Sequence, residues 1–153
     1  MADVTIRIEG LERISKKATP DILTPGLSLI VREAALTAQR EARNEAPKDT
    51  SALARSILAD IKPLSAEVST SLAYAQAMEE GRRPGARMPP PAALAGWARR
   101  HGYGGSLFVL ARAIGRRGIK GRFYMRKGAD ATRRALPGIV RRGAALIVRA
   151  WDG

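Results

Sequence analysis

Four features of this chain are candidates for catalysis or anion binding: His101, the carboxylate pair Glu79 and Glu80, the glycine run Gly102-Tyr103-Gly104-Gly105, and the arginines around Gly115–Arg122. His101 is the only histidine. One imidazole per chain excludes a two-histidine metal site or a histidine dyad within a subunit. Placed after Trp97-Ala98-Arg99-Arg100, it reads as a helix-end or surface residue rather than a general base. Adjacent carboxylates diverge on a helix or a strand, so Glu79 and Glu80 do not converge on one substrate. The glycine run lacks the preceding strand and the lysine of a phosphate-binding loop, and reads as a flexible connection between helices. With no cysteine in the chain, disulfides, thiolate zinc sites and thiol nucleophiles drop out together. The expectation is a protein without catalytic residues, metal ligands or cofactor.

The cations carry more. Residues 1–81 hold 10 Lys and Arg against 12 Asp and Glu, a balance of −2, whereas residues 82–153 hold 17 against 2, a balance of +15. A half-chain so charged repels itself unless something anionic compensates. Most of its cations are arginines, which suit planar bidentate contacts. Arg82, Arg83 and Arg87 lie in a Pro/Gly-rich loop, Arg82 to Pro91, and Arg116, Arg117, Lys120 and Arg122 lie in a second, Gly115 to Arg122. Glycine-bearing basic loops can approach phosphates closely. They can equally solubilise an alanine-rich chain or meet an acidic protein. Phe123 and Tyr124 are the only aromatics beside the second loop, too few for base stacking to supply sequence readout.

Periodicity sets the secondary structure on which these residues sit. An apolar fraction of 45% supports a core, and aromatics at 5% leave it to Leu, Ile, Val and Ala. Val4, Ile6 and Ile8 alternate with polar residues, predicting a strand, and Leu11 to Ala18 a short helix. Pro20 and Pro25 punctuate the next stretch. Leu27, Ile30, Val31, Ala34, Ala38 and Ala42 mark one face of a long helix from Leu27 to Ala46, stopped by Pro47. Asp49, Thr50 and Ser51 mark a turn or helix cap. Ser56–Ile61 and Ala66–Leu72 read as a hairpin around Lys62-Pro63-Leu64-Ser65. Short helices are expected at Tyr74–Glu80, Ala92–His101 and Ser106–Arg116. Phe123 onward is mostly helical, with Leu136, Ile139, Val140, Gly143 and Ile147 on one face and a restart or kink at Pro137. The expected fold is a single α+β domain over residues 1–153: a small, mainly antiparallel sheet packed by one long helix, with additional C-terminal helices. Residues 1–81 would form the sheet and long helix, and residues 82–153 the basic, helical part. No run is long enough for a signal peptide or a membrane span, so the protein is expected in the cytoplasm when made.

Three blocks then occur in order. Ala46-Pro47-Lys48-Asp49-Thr50-Ser51-Ala52-Leu53-Ala54-Arg55-Ser56-Ile57 resembles the proline–Asp–Thr–Gly–x–Leu–Arg–x–Ser–Ile signature of the neck or tail-completion (minor tail component) proteins of long-tailed, lambdoid-type bacteriophages. Tyr74-Ala75-Gln76-Ala77-Met78-Glu79-Glu80-Gly81 is similar to the Tyr-Ala-x-x-x-Glu-x-Gly of that family. The run Pro91 to Trp97, then Arg117-Gly118 and Phe123, resembles its proline-rich loop, arginine–glycine turn and following helix. Ser51 stands where the family usually has glycine, so this turn is expected not to require a glycine-only conformation. The resemblance implies a structural virion protein, not an enzyme. It would form a ring, expected to be sixfold, at the head–tail junction, completing the neck or tail. Its partners would be copies of itself and neighbouring neck, head-closure or tail-tube proteins, with non-specific contact to DNA in the channel and none to a membrane. Tyr74, Glu79, Glu80 and Trp97 are then candidates for the subunit interface, the glutamates facing arginines of the next copy. The rival expectation is a free-standing, non-specific nucleic-acid-binding protein using the basic half.

Overall fold

In the computed structural model, residues 3–7, 19–49 and 51–152 are described; the expected strand end at Ile8, the short helix Leu11–Ala18 and the candidate cap Thr50 lie outside them. The chain is mixed helix and sheet, and it divides into two units: Met1–Ala75 with Phe123–Gly153, and Gln76–Arg122 between them. The charge boundary at residue 82 falls inside the second unit.

In the first unit, strand β1 (Val4–Arg7), helix α1 (Pro20–Glu45), helix α2 (Ala52–Ser56), strands β2 (Ile57–Lys62) and β3 (Ser65–Thr70) and helix α6 (Tyr124–Asp152) follow in chain order. The sheet order is β1-β3-β2, antiparallel throughout, with Val4 opposite Val68 and Ile57 opposite Thr70. The β2–β3 ladder continues to Lys62 opposite Ser65, leaving Pro63-Leu64 as a two-residue turn, shorter than the expected four-residue loop. Helix α1 begins at Pro20, seven residues before the expected start. Proline at the first helical position gives up an N–H that would have no partner there, and the Thr19 carbonyl accepts from Ile22 and Leu23 at 3.1 and 3.2 Å. Pro25 is carried inside the helix, where its missing N–H removes one ladder bond. Ala46 turns extended at the C-terminus, ahead of Pro47, as expected.

The core is small-residue and aliphatic: Val31, Ala34, Ala35, Ala38 and Ala42 of α1, Leu53, Ile57, Ala66, Val68 and, from α6, Tyr124, Met125 and Ile139 are buried. Gln39 and Arg43 of α1 donate to the Ile57 carbonyl at 2.7–3.1 Å, tying the helix to the start of β2. Helix α6 runs through Pro137 without a break and lies antiparallel against α1: Glu33 pairs with Arg142 and Glu45 with Lys127, and Gly26 meets Gly143. Of the five residues expected on its buried face, Ile139 and Gly143 are buried and Ile147 is half-buried, while Leu136 and Val140 are exposed. The apolar arc of α6 is wider than the strip α1 covers.

Ser51 shows what the turn requires. It starts α2 with φ +54°, the left-handed region that favours glycine. Serine occupies it, so the turn favours glycine without being restricted to it.

The second unit holds most of helix α3 (Ala75–Glu80), strands β4 (Gly81–Arg82) and β5 (Ile119–Lys120), a 3-10 turn (Pro91–Leu94), and helices α4 (Ala95–Arg100) and α5 (Leu107–Arg117). The expected helix Ala92–His101 is thus split into the turn and α4. Gly102, at φ +62°, ends α4, with Tyr103 N–H donating to Ala98 O at 2.8 Å.

Candidate functional site

The two basic loops, far apart in sequence, form one structure. β4 pairs antiparallel with β5, placing Gly81 opposite Lys120 and Arg82 opposite Ile119. Farther along, Gly85 N–H donates to Gly115 O at 2.9 Å, and Arg122 N–H donates to Met78 O at 2.9 Å. Gly118 sits at φ +76°, and a Cβ there would lie 2.9 Å from Pro84 N and 3.0 Å from the Arg83 carbonyl carbon. Only glycine allows the backbones to come this close. The two loops are therefore zipped together. Seven cations share this ribbon: Arg82, Arg83, Arg87, Arg116, Arg117, Lys120 and Arg122. Arg82 is half-buried, its Nη2 donating to Arg87 O at 2.6 Å, and the other six are exposed. An open groove of about 650 Å³ lies beside them, lined by Arg82, Arg87, Met88, Pro89 and Pro90. The second unit carries 10 Lys and Arg against Glu79 and Glu80, a balance of +8.

The proposed interface residues separate. Tyr74 and Trp97 are exposed at 46% and 40%, but Glu79 is only 7% exposed. Of the two glutamates, only Glu80 is on the surface, where it accepts from Gln76 Nε2 at 3.4 Å. Burying one of two neighbours is what divergent side chains on a helix imply. Trp97 stacks on His101 one helical turn on, ring centroids 4.6 Å apart, with Tyr103 tilted at 6.5 Å. His101 is thus part of an exposed aromatic cluster at the end of α4.

The two aromatics beside the second loop part company. Tyr124 is fully buried and donates its hydroxyl to Ala75 O at 3.2 Å. Phe123 is partly exposed and lies under the Arg126 guanidinium, 4.9 Å from its ring centre. Sequence reasoning missed the exposed face of α5, where Phe108 and Val109 are exposed with Arg112 and Arg116. The helical spacing of those four residues would have grouped them. It also missed Leu58, exposed on the outermost strand β2.

Among the described residues no group of three or more His, Cys, Asp and Glu side chains is placed to hold a metal ion, and no helix is long and apolar enough to cross a membrane. Two ion pairs alter titration in the first unit: the hydrogen bond from Lys127 holds the Glu45 carboxyl below its ordinary range, and the bond to Glu33 raises Arg142 above its own. No family model, no curated protein and no solved structure matches this chain.

Proposed function

We propose that this protein is a structural component of a phage particle, a ring-forming subunit of the neck or tail-completion complex at the head–tail junction. The observation that carries the reading is the ordered series of blocks that resemble the lambdoid-type neck and tail-completion family: residues 46–57, 74–81, 91–97 and 117–123. Its mechanism is docking by shape and charge, with no bond made or broken, and its partners are copies of itself and adjoining neck, head-closure or tail-tube proteins. Before assembly it resides in the host cytoplasm.

Surface chemistry is compatible with that role. Tyr74, Trp97, Phe108 and Val109 present large apolar side chains to solvent, and aromatics and arginine are the residue types enriched where proteins anchor one another. Glu80, the exposed member of the acidic pair, is the candidate to meet an arginine of the next copy. The test is a lysate of phage lacking this gene, viewed by electron microscopy. Separate, full heads and unattached tails are expected. Normally joined particles would end the proposal.

A further inference from the structure

The ribbon formed by residues 81–91 and 115–122 invites a sharper question: which anion does it meet? We infer that it binds the sugar–phosphate backbone of duplex DNA, without reading base sequence. The inference rests on the ring reading only for the presence of DNA in the channel; the binding surface itself stands on the second unit alone.

Three observations favour phosphate over an acidic protein. First, the cations are collected by the fold in a unit whose only carboxylate side chains are Glu79 and Glu80. The β4–β5 ladder and the Gly85–Gly115 bond bring both loops together, and the ribbon contains no carboxylate. Among the described residues, Arg82, Arg83, Arg87, Arg116, Arg117, Lys120 and Arg122 form no salt bridge; the ion pairs with Glu33, Glu41, Glu45, Asp60 and Asp130 all belong to the first unit. Holding this many like charges side by side is unfavourable until an anion arrives.

Second, the exposed side chains of the ribbon are almost all cationic, its one apolar patch being the groove lined by Met88, Pro89 and Pro90. No large apolar residue within it is exposed; Met88 and Ile119 are half-buried, and the exposed positions are arginine, lysine, proline and glycine. A protein interface draws most of its energy from desolvated aromatic and aliphatic anchors, whereas a phosphate backbone needs only donors and charge. Third, the means of reading bases are few at this place: Phe123, next to the ribbon, is partly exposed but already covered on one face by the Arg126 guanidinium. Tyr124, which follows the loop closely in sequence, is fully buried, so it offers no stacking face. Contact is confined to phosphates, which positions a duplex and carries no sequence information.

The test is fluorescence anisotropy of the purified full chain with a short labelled duplex of mixed sequence, titrated from about 50 to about 200 mM salt, where the logarithm of affinity falls by about 0.9 per phosphate neutralised. Removing two ribbon contacts with Arg116→Ala and Arg117→Ala should flatten that slope by about 2. Removing two exposed cations of the first unit, with Arg134→Ala and Arg141→Ala, should leave it unchanged. Gly118→Ala keeps every charge but forces the strands of the ribbon apart, and should also weaken binding while circular dichroism shows the helices retained. Equal flattening by both arginine pairs would overturn the inference in favour of a diffuse net-charge effect. Competition by poly-glutamate as strong as by the duplex would overturn it in favour of an acidic protein partner, and so would the absence of duplex binding by the wild-type chain. The ring reading is judged separately on the same variants. Particles that incorporate an Arg116→Ala/Arg117→Ala chain unable to hold DNA leave the ring standing. A chain that binds DNA through the ribbon but is absent from particles leaves only the ribbon.

Discussion

Gly143 of α6 lies against Gly26 of α1 so closely that a Cβ on Gly143 would sit 2.7 Å from the Gly26 carbonyl oxygen. This contact sets how near the two long helices approach. Gly138, five residues earlier on α6, faces only the end of the Arg142 side chain at 3.7 Å. The same substitution should therefore have opposite signs. Gly138→Ala gains helix propensity, worth about 0.5–1 kcal/mol. Gly143→Ala gains as much but meets a backbone atom that cannot yield and the packed Ile30 side chain. Overpacking of this kind costs about 1–3 kcal/mol, so a net loss is expected. Thermal unfolding followed by circular dichroism reads both; a stabilised Gly143→Ala would show that the helices are not held at glycine distance.

Ser51, at φ +54°, bears left-handed strain of about 1–2 kcal/mol. Ser51→Gly relieves it and adds about 0.4–1 kcal/mol of unfolded-state entropy to be lost on folding. A net gain of about 0.5–1 kcal/mol follows, equivalent to a rise in Tm of about 1–4 °C for a chain of this length. Ser51→Val should lower Tm, since a β-branched side chain tolerates that region least.

Lys127 Nζ lies 2.7 Å from Glu45 Oε2. That hydrogen bond lowers the folded-state pKa of Glu45. A carboxyl whose pKa falls on folding adds stability above its ordinary value of about 4.3 and loses it as the pH drops through the lower folded value. Lys127→Met should raise the Glu45 pKa in an NMR titration. The stability difference between wild type and variant should shrink as the solution is acidified below about pH 4. The pair is exposed, so salt should weaken it as well. Arg142 shifts the other way, upward through its bond to Glu33, so on the alkaline side its contribution is lost only as the pH rises through the arginine range.

Glu79 and Glu80 should answer differently to charge reversal. Glu80→Lys, at the surface, should leave the fold intact and weaken ring assembly as seen by native mass spectrometry. Glu79→Lys places a cation at a position that is only 7% exposed and should instead lower Tm. Equal assembly by wild type and Glu80→Lys would remove Glu80 from the interface.

The long helix, the hairpin and the mixed architecture were legible because their signals are local: a 3.6-residue apolar spacing from Leu27 to Ala42, and alternation on either side of Pro63-Leu64. The start of α1 was hidden because prolines at 20 and 25 read as breaks, although proline is favoured at a first helical position. The continuity of α6 was hidden for the same reason at Pro137. The ribbon was legible as two sets of cations but not as one surface, since β4 and β5 are two-residue strands too short to leave an alternation pattern. Burial of Glu79 beside an exposed Glu80 is decided by helix phase against the rest of the fold, which adjacent identical residues cannot reveal. The exposed Phe108 and Val109 escaped notice because an apolar pair in a helix is read first as core.

Where the chain sits in the particle can be seen by labelling its C-terminus and imaging purified phage by electron microscopy. Label confined to the junction of head and tail, in several copies per particle, is expected of a neck or tail-completion subunit. Mature, infectious particles without the label, prepared from cells that express the tagged chain, would contradict that role.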